Sequence, residues 1–238
     1  MIHRSFKILK RLNIDTEPLR SAMILITAQM TSMVSGLLGN TLVDGFFFIT
    51  VLHTTGQFEI LSDFIGRTKY DSLDPEHDKT KVKEMIRRHQ MLLNVTADIQ
   101  ECYGMITFQQ LAISTLYLCF FEYAFIMELQ KGGEGRMVAL KYALTSLTGL
   151  ENIFVYCFLG DNLTDQGLAL RMAVYNSEWY NTTPSVNLSL SIVMTKALQP
   201  IVLSAAKIFP LTLQNFTVII KSSVSYLSVL RALSVSEV

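Results

Sequence analysis

Residues 201–233 read IVLSAAKIFPLTLQNFTVIIKSSVSYLSVLRAL, and the class of the whole chain turns on them. An apolar helix of about 20 residues crosses the roughly 30 Å of hydrocarbon in a bilayer, so this stretch is long enough to span one. Yet it carries Ser204, Lys207, Thr212, Gln214, Asn215, Thr217, Lys221, Ser222, Ser223, Ser225 and Ser228. Polar side chains inside a membrane are costly unless they face protein or water. The pattern therefore predicts a final span buried in a bundle or lining an aqueous path.

Composition points the same way. Half of the 238 residues are hydrophobic, 17% are charged, and mean hydropathy is +0.34. Soluble domains average about 25% charged residues. Twenty basic residues balance twenty acidic ones, which gives no support to nucleic-acid binding. Cys102, Cys119 and Cys157 lie beside or within apolar runs with no metal-binding spacing, as packed free thiols do. The first residues lack the apolar core and small-residue cleavage site of a signal peptide.

In chain order, residues 1–20 are polar and basic. Ser21 to about Leu52 is almost free of charge, Asp44 excepted, and predicts a first span. Phe58, Ile60, Leu61, Phe64 and Ile65 then keep a helical spacing among His53, Gln57, Glu59 and Asp63, so the helix is expected to leave the membrane and continue in water. A hydrophilic loop is expected over 66–80, with Pro75 in its middle. An amphipathic helix follows from Lys81 to about Glu101, with Val82, Met85, Ile86, His89, Leu92, Leu93 and Ile99 at three- and four-residue steps. Further spans are expected at 104–127 and 137–160, joined by a turn containing Gly132, Gly133 and Gly135, and at 202–231. The fold class is thus all-α, a polytopic helical membrane protein. No HExxH pair, GxSxG elbow or phosphate-binding loop is present, so neither an enzyme nor a metal or cofactor site is expected.

Four motifs in order carry a resemblance: Ala173-Val174-Tyr175-Asn176-Ser177-Glu178-Trp179-Tyr180, then Ala197-Leu198-Gln199-Pro200, then Lys207 to Leu213, then Ile220 to Arg231. Together they resemble the C-terminal signature of the insect odorant receptors. Leu42-Val43-Asp44 through Leu61 resembles that family's fourth span and its cytoplasmic extension, and Arg87-Arg88-His89-Gln90 matches residues on the cytoplasmic side. The family has seven spans, so the resemblance covers the last four and implies that three helices would precede Met1.

The resemblance implies a division into an extracellular loop remnant at 1–20, a span with cytoplasmic extension at 21–65, and a cytoplasmic loop with amphipathic helix at 66–102. A transmembrane hairpin at 103–160, a cytoplasmic anchor at 161–200 and a pore-lining span at 201–238 complete it. Lysines and arginines divide almost evenly between the two sides, so charge does not settle this orientation.

Family members are odorant-gated cation channels that form hetero-tetramers with a shared co-receptor in the plasma membrane. By that likeness the pore helix is 209–233, and helical stepping places Val218, Ser222, Ser225, Tyr226, Val229 and Leu233 on the pore face. Serine hydroxyls would replace part of an ion's water shell, and Val229 and Leu233 would close the pore by dewetting. A small volatile ligand calls for a dry cavity, to which Thr27, Met30, Thr31, Val34, Leu144, Thr145 and Thr148 would contribute. Tyr175, Trp179 and Tyr180 are expected to pack as aromatic anchors. A gustatory-receptor-like ligand-gated channel and a fragment without activity of its own are the rival readings.

Overall fold

A computed structural model describes residues 18–70, 74–131 and 135–236. The polar segment before residue 18 and the glycines at 132 and 133 lie outside the described residues. Five α-helices account for most of what is described: α1 (Pro18–Arg67), α2 (Pro75–Gln130), α3 (Arg136–Asn176), α4 (Pro184–Lys196) and α5 (Leu213–Ser236). A 3₁₀ turn covers Trp179–Asn181, and a two-stranded hairpin is made by β1 (Ser204–Ala205) and β2 (Phe209–Pro210). The all-α class is as expected.

The chain divides into two compact units, Met1–Phe47 and Phe48–Val238. In the first, the described part of α1 exposes Met23, Ile24, Met30, Met33, Val34, Leu37, Leu38 and Leu42. A largely apolar surface of this kind suits lipid or further helices. Inside it, Asn40 donates from Nδ2 to Asp44 Oδ2 at 3.1 Å, one helical turn away.

In the second unit, α2 and α3 run antiparallel. Gly149 lies against the Ser114 carbonyl, and the rings of Phe121 and Tyr142 stack at 6.0 Å. At the polar end the core gathers Phe58, Leu61 and Ile65 of α1 with Met85 and Leu92 of α2, Leu170 and Val174 of α3, and Val186 and Leu190 of α4, all buried. Their three- and four-residue spacings put one apolar stripe on each helix. Fixed charges occupy the outer faces: Arg67 pairs with Asp63 at 2.7 Å and Lys79 with Glu76 at 2.7 Å.

Several expected boundaries are corrected. Pro75 does not sit in the middle of a loop but opens α2, because the Asp74 side chain caps the helix by accepting from the His77 N–H at 3.2 Å. Proline costs nothing at this position, where its missing N–H would have no partner. The amphipathic stretch from Lys81 and the span from 104 are one continuous helix of 56 residues. Helix α3 likewise runs on to Asn176 instead of ending near 160.

The largest departure is at 201–212. A helix was expected from 202, or from 209 for the pore helix; instead the chain forms the β1–β2 hairpin, and α5 starts at Leu213. Ala206 and Lys207 take left-handed φ values of 51° and 60° in its turn. Among the described residues three helices, α1 from Ala22, α2 and α3, are long and apolar enough to cross a membrane. Each exceeds the roughly 20 residues a span requires, so part of each lies outside the bilayer, including the charge-rich start of α2.

Candidate functional site

Helix α5 stands on the hairpin, and the hairpin is held from both sides. From α2, Gln100 donates from Nε2 to the Ser204 carbonyl at 2.8 Å, while its Oε1 accepts from the Ser204 N–H at 2.7 Å and from Ser204 Oγ at 3.2 Å. One side-chain amide thus behaves as a third strand. The Ala206 N–H donates to the Gly104 carbonyl at 2.7 Å, one turn further along α2. From α3, Thr164 Oγ1 donates to the Ile201 carbonyl at 2.8 Å. Gly160 lies so close to Leu211 that a Cβ there would collide with its carbonyl oxygen and its Cβ. Glycine is required here by close approach.

Above the hairpin, α5 has two unlike faces. Phe216 packs edge-on against Phe154 of α3 at 5.4 Å, and Ser223 is buried, its Oγ donating to the Ile220 carbonyl at 3.0 Å and meeting the Glu122 carboxyl group of α2. Val218, Ser222, Ser225, Tyr226 and Val229 are exposed, Tyr226 by 65%. At 3.6 residues per turn these five fall within an arc of about 100°. Five of the six residues expected on a pore face therefore share one uncovered face of α5; the side chain of Leu233 lies outside the described residues.

The residues expected around a ligand fall in two groups. Leu144, Thr145 and Thr148 border one shallow concavity of about 380 Å³ with Met137, Leu140 and Lys141. The Thr145 and Thr148 hydroxyls donate to the Lys141 and Thr145 carbonyls, at 2.9 and 2.8 Å. Thr27, Met30, Thr31 and Val34 belong to the first unit and are exposed on α1. Their spacing of three and four puts them on one face. Thr27 and Thr31 also turn their hydroxyls to their own backbone, donating to the Met23 and Thr27 carbonyls at 3.0 and 2.8 Å.

An apolar cavity of about 470 Å³ was not foreseen. It is bounded by Phe108, Ala112 and Leu116 of α2, Ala205 and Ile208 of the hairpin, and Ile219 of α5. The sequence pattern predicts helix over 205–208, where the hairpin instead builds this wall.

At the polar end the motif beginning at Tyr175 works differently from expectation. Tyr175 and Tyr180 are exposed, and only Trp179 is half-buried, edge-on to Tyr180 at 6.3 Å. The buried member is Ser177, whose Oγ donates to the Val174 carbonyl at 2.7 Å. Burial holds the Tyr70 phenol above its usual range, against the lowering effect of the Ser177 hydroxyl beside it. His89 is buried edge-on to Phe58 at 6.4 Å; burial first, and then the charge of Lys196, keep its imidazole below the usual histidine range. Glu84, partly exposed, is held down to about 2 by hydrogen bonds from Arg87 and then Arg88. Among the described residues no group of three or more histidine, cysteine or acidic side chains is placed to hold a metal ion.

Membrane-length helices whose long polar ends pack into a separate bundle define a polytopic helical membrane protein. The family model described as 7tm Odorant receptor matches residues 5–224. The chain belongs to the odorant receptor family. Odorant receptor 82a of Drosophila melanogaster is 24% identical over 191 residues, covering 80% of this chain and 48% of that protein. The odorant receptor coreceptor of Aedes aegypti is 25% identical over 183 residues, covering 76% and 36%. The insect olfactory receptor OR5 from Machilis hrabei, solved in complex with eugenol, superposes with a TM-score of 0.76 at 18% identity, over 93% of this chain and 55% of that one. The chain spans about half the length, or less, of the relatives it matches.

Proposed function

We propose that this chain is the C-terminal part of an odorant receptor subunit that forms an odorant-gated cation channel with a co-receptor in the plasma membrane. The observation that carries the reading is the division of α5. Its Phe216 and Ser223 side packs on α3 and α2, while Val218, Ser222, Ser225, Tyr226 and Val229 stay uncovered. A face of alternating hydroxyls and β-branched residues suits a water path with apolar constrictions. Four such faces around an axis make a pore, with Leu233 extending this one. Similarity to a coreceptor as well as to an odorant receptor supports assembly of like subunits. For a small volatile ligand the contacts proposed within the second unit are Leu144, Thr145 and Thr148; Thr27, Met30, Thr31 and Val34 of α1 are proposed separately, within the first. The threonine hydroxyls already satisfied within their helices leave an apolar surface suited to it.

The test is current recording from cells expressing the chain, extended by three upstream helices, together with a co-receptor, across an odorant panel. An odorant-evoked cation current whose permeability ratio changes in Val229→Trp supports the reading. A current unaltered by Val229→Trp and by Ser225→Trp removes α5 from the pore. The same recording from the 238-residue chain alone decides whether this part has activity of its own.

A further inference from the structure

The unforeseen cavity lies where α2, the hairpin and α5 meet, and its wall is almost entirely carbon. Along α2 it runs from Phe108 to Leu116, about 12 Å at 1.5 Å per residue. That is close to the depth of one leaflet, about half of a 30 Å hydrocarbon layer. Its lower rim is the hairpin, which meets α2 at Gly104, one turn before Phe108. Lys207 sits in the hairpin turn between the lining residues Ala205 and Ile208, exposed and, among the described residues, in no ion pair. Ile208 beside it is 77% exposed. The left-handed φ of 60° at Lys207 and the Ala206 bond to Gly104 fix this turn against α2.

We propose that this groove binds one acyl chain of an anionic phospholipid, with the headgroup phosphate on Lys207. A leaflet-deep apolar slot with a single cation at its membrane-surface end fits that ligand at both ends. A second polypeptide would leave the lysine without a counter-charge unless it brought an acid to the same point.

The chain is reconstituted in bilayers of phosphatidylglycerol and phosphatidylcholine, with a benzophenone side chain introduced as Leu116→benzoylphenylalanine. Photoadducts are weighed by mass spectrometry. Leu147→benzoylphenylalanine is the control, since Leu147 is exposed on α3 at the level of Leu116, as the Ser114–Gly149 and Phe121–Tyr142 contacts show. A lysine at an anionic surface contributes about 1 kcal/mol, so the site should enrich phosphatidylglycerol adducts about fivefold over the control. Lys207→Gln should return the ratio to that of the control, and Ala112→Trp, which fills the slot from an exposed position, should abolish the enrichment. Equal ratios at the two positions, enrichment that survives Lys207→Gln, an adduct with a second polypeptide, or no adduct at Leu116 would each overturn the assignment.

Discussion

Gln100→Leu removes the side chain that closes the hairpin onto α2. The substitution keeps the volume roughly constant but strips a donor from the Ser204 carbonyl and an acceptor from the Ser204 N–H and hydroxyl. A hydrogen bond contributes about 1 kcal/mol net, and a partly buried backbone group left unmet costs about 1–3 kcal/mol. Two backbone groups lose their partner, so local opening of the hairpin should become easier by about 2–3 kcal/mol. Hydrogen exchange is the direct assay, because amide protection reports local opening free energy. The Ser204 and Ala206 amides should exchange about 30- to 150-fold faster, at tenfold per 1.4 kcal/mol. Helix α4, outside this contact, should be unchanged. Gln109→Leu, at an exposed position on the same helix, controls for the added apolar surface. If Ser204 and Ala206 keep their protection in Gln100→Leu, the hairpin is held by its own strand pairing and the account of Gln100 is wrong.

Gly160→Ala drives a methyl group into Leu211, and overpacking of this kind costs about 1–3 kcal/mol; a lower Tm in detergent should show it, with Gly56→Ala, where a Cβ meets nothing within 4 Å, as the neutral comparison. Glu84 is held down to about 2 by Arg87 and Arg88, so its contribution is complete above the ordinary carboxylate value and is lost only as pH falls toward 2. An NMR titration of the Glu84 carboxyl should find its midpoint lowered, and Arg87→Ala should raise it. The depressed value of His89 has the corresponding sign: the unfolded chain takes up the proton first, so stability should fall as pH drops below the ordinary histidine value of about 6.5. Lys196→Gln removes the nearby charge and should raise the His89 midpoint in the same titration.

Apolar periodicity located the helices because it reports burial: Val82, Met85, His89, Leu92 and Ile99 are buried as their spacing predicts, while Ile86, expected on the same face, is exposed and Leu93 half-buried. Breaks were harder to read. A boundary was expected between the amphipathic helix ending near Glu101 and the span from 104, yet the helix is continuous there, and a Cβ at Gly104 would meet the Gln100 side-chain amide that holds the hairpin. The hairpin itself was hidden for two reasons. Its left-handed turn is made by Ala206 and Lys207, neither of which signals a turn. The bonds that favour it over a helix come from Gln100 and Gly104, about a hundred residues away in sequence. A local pattern carries no trace of such partners. That Val218, Ser222, Ser225, Tyr226 and Val229 share one face was legible because helical stepping from Tyr226 needs only the period of a helix, and α5 supplies one from Leu213 onward. The expectation of a ligand at Thr27, Thr31, Thr145 and Thr148 rests on the family resemblance, and the bonds of these hydroxyls to their own helices are a feature of helix geometry that composition does not show.

The continuity of α2 has a mechanical consequence. A helix of 56 residues is about 84 Å long at 1.5 Å per residue. Its start lies in the polar bundle beside α4, its middle meets the foot of α5 through Gln100, and its far end lies beyond Glu122. Pivoted at one end, such a rod sweeps its tip sideways by about 4 Å for a tilt of about 3°. A displacement of that size is comparable to the width of a water molecule, and a broken helix would absorb it at the joint. At Gln100, 25 residues along that helix and bonded to Ser204 of the hairpin, the same tilt would amount to about 2 Å.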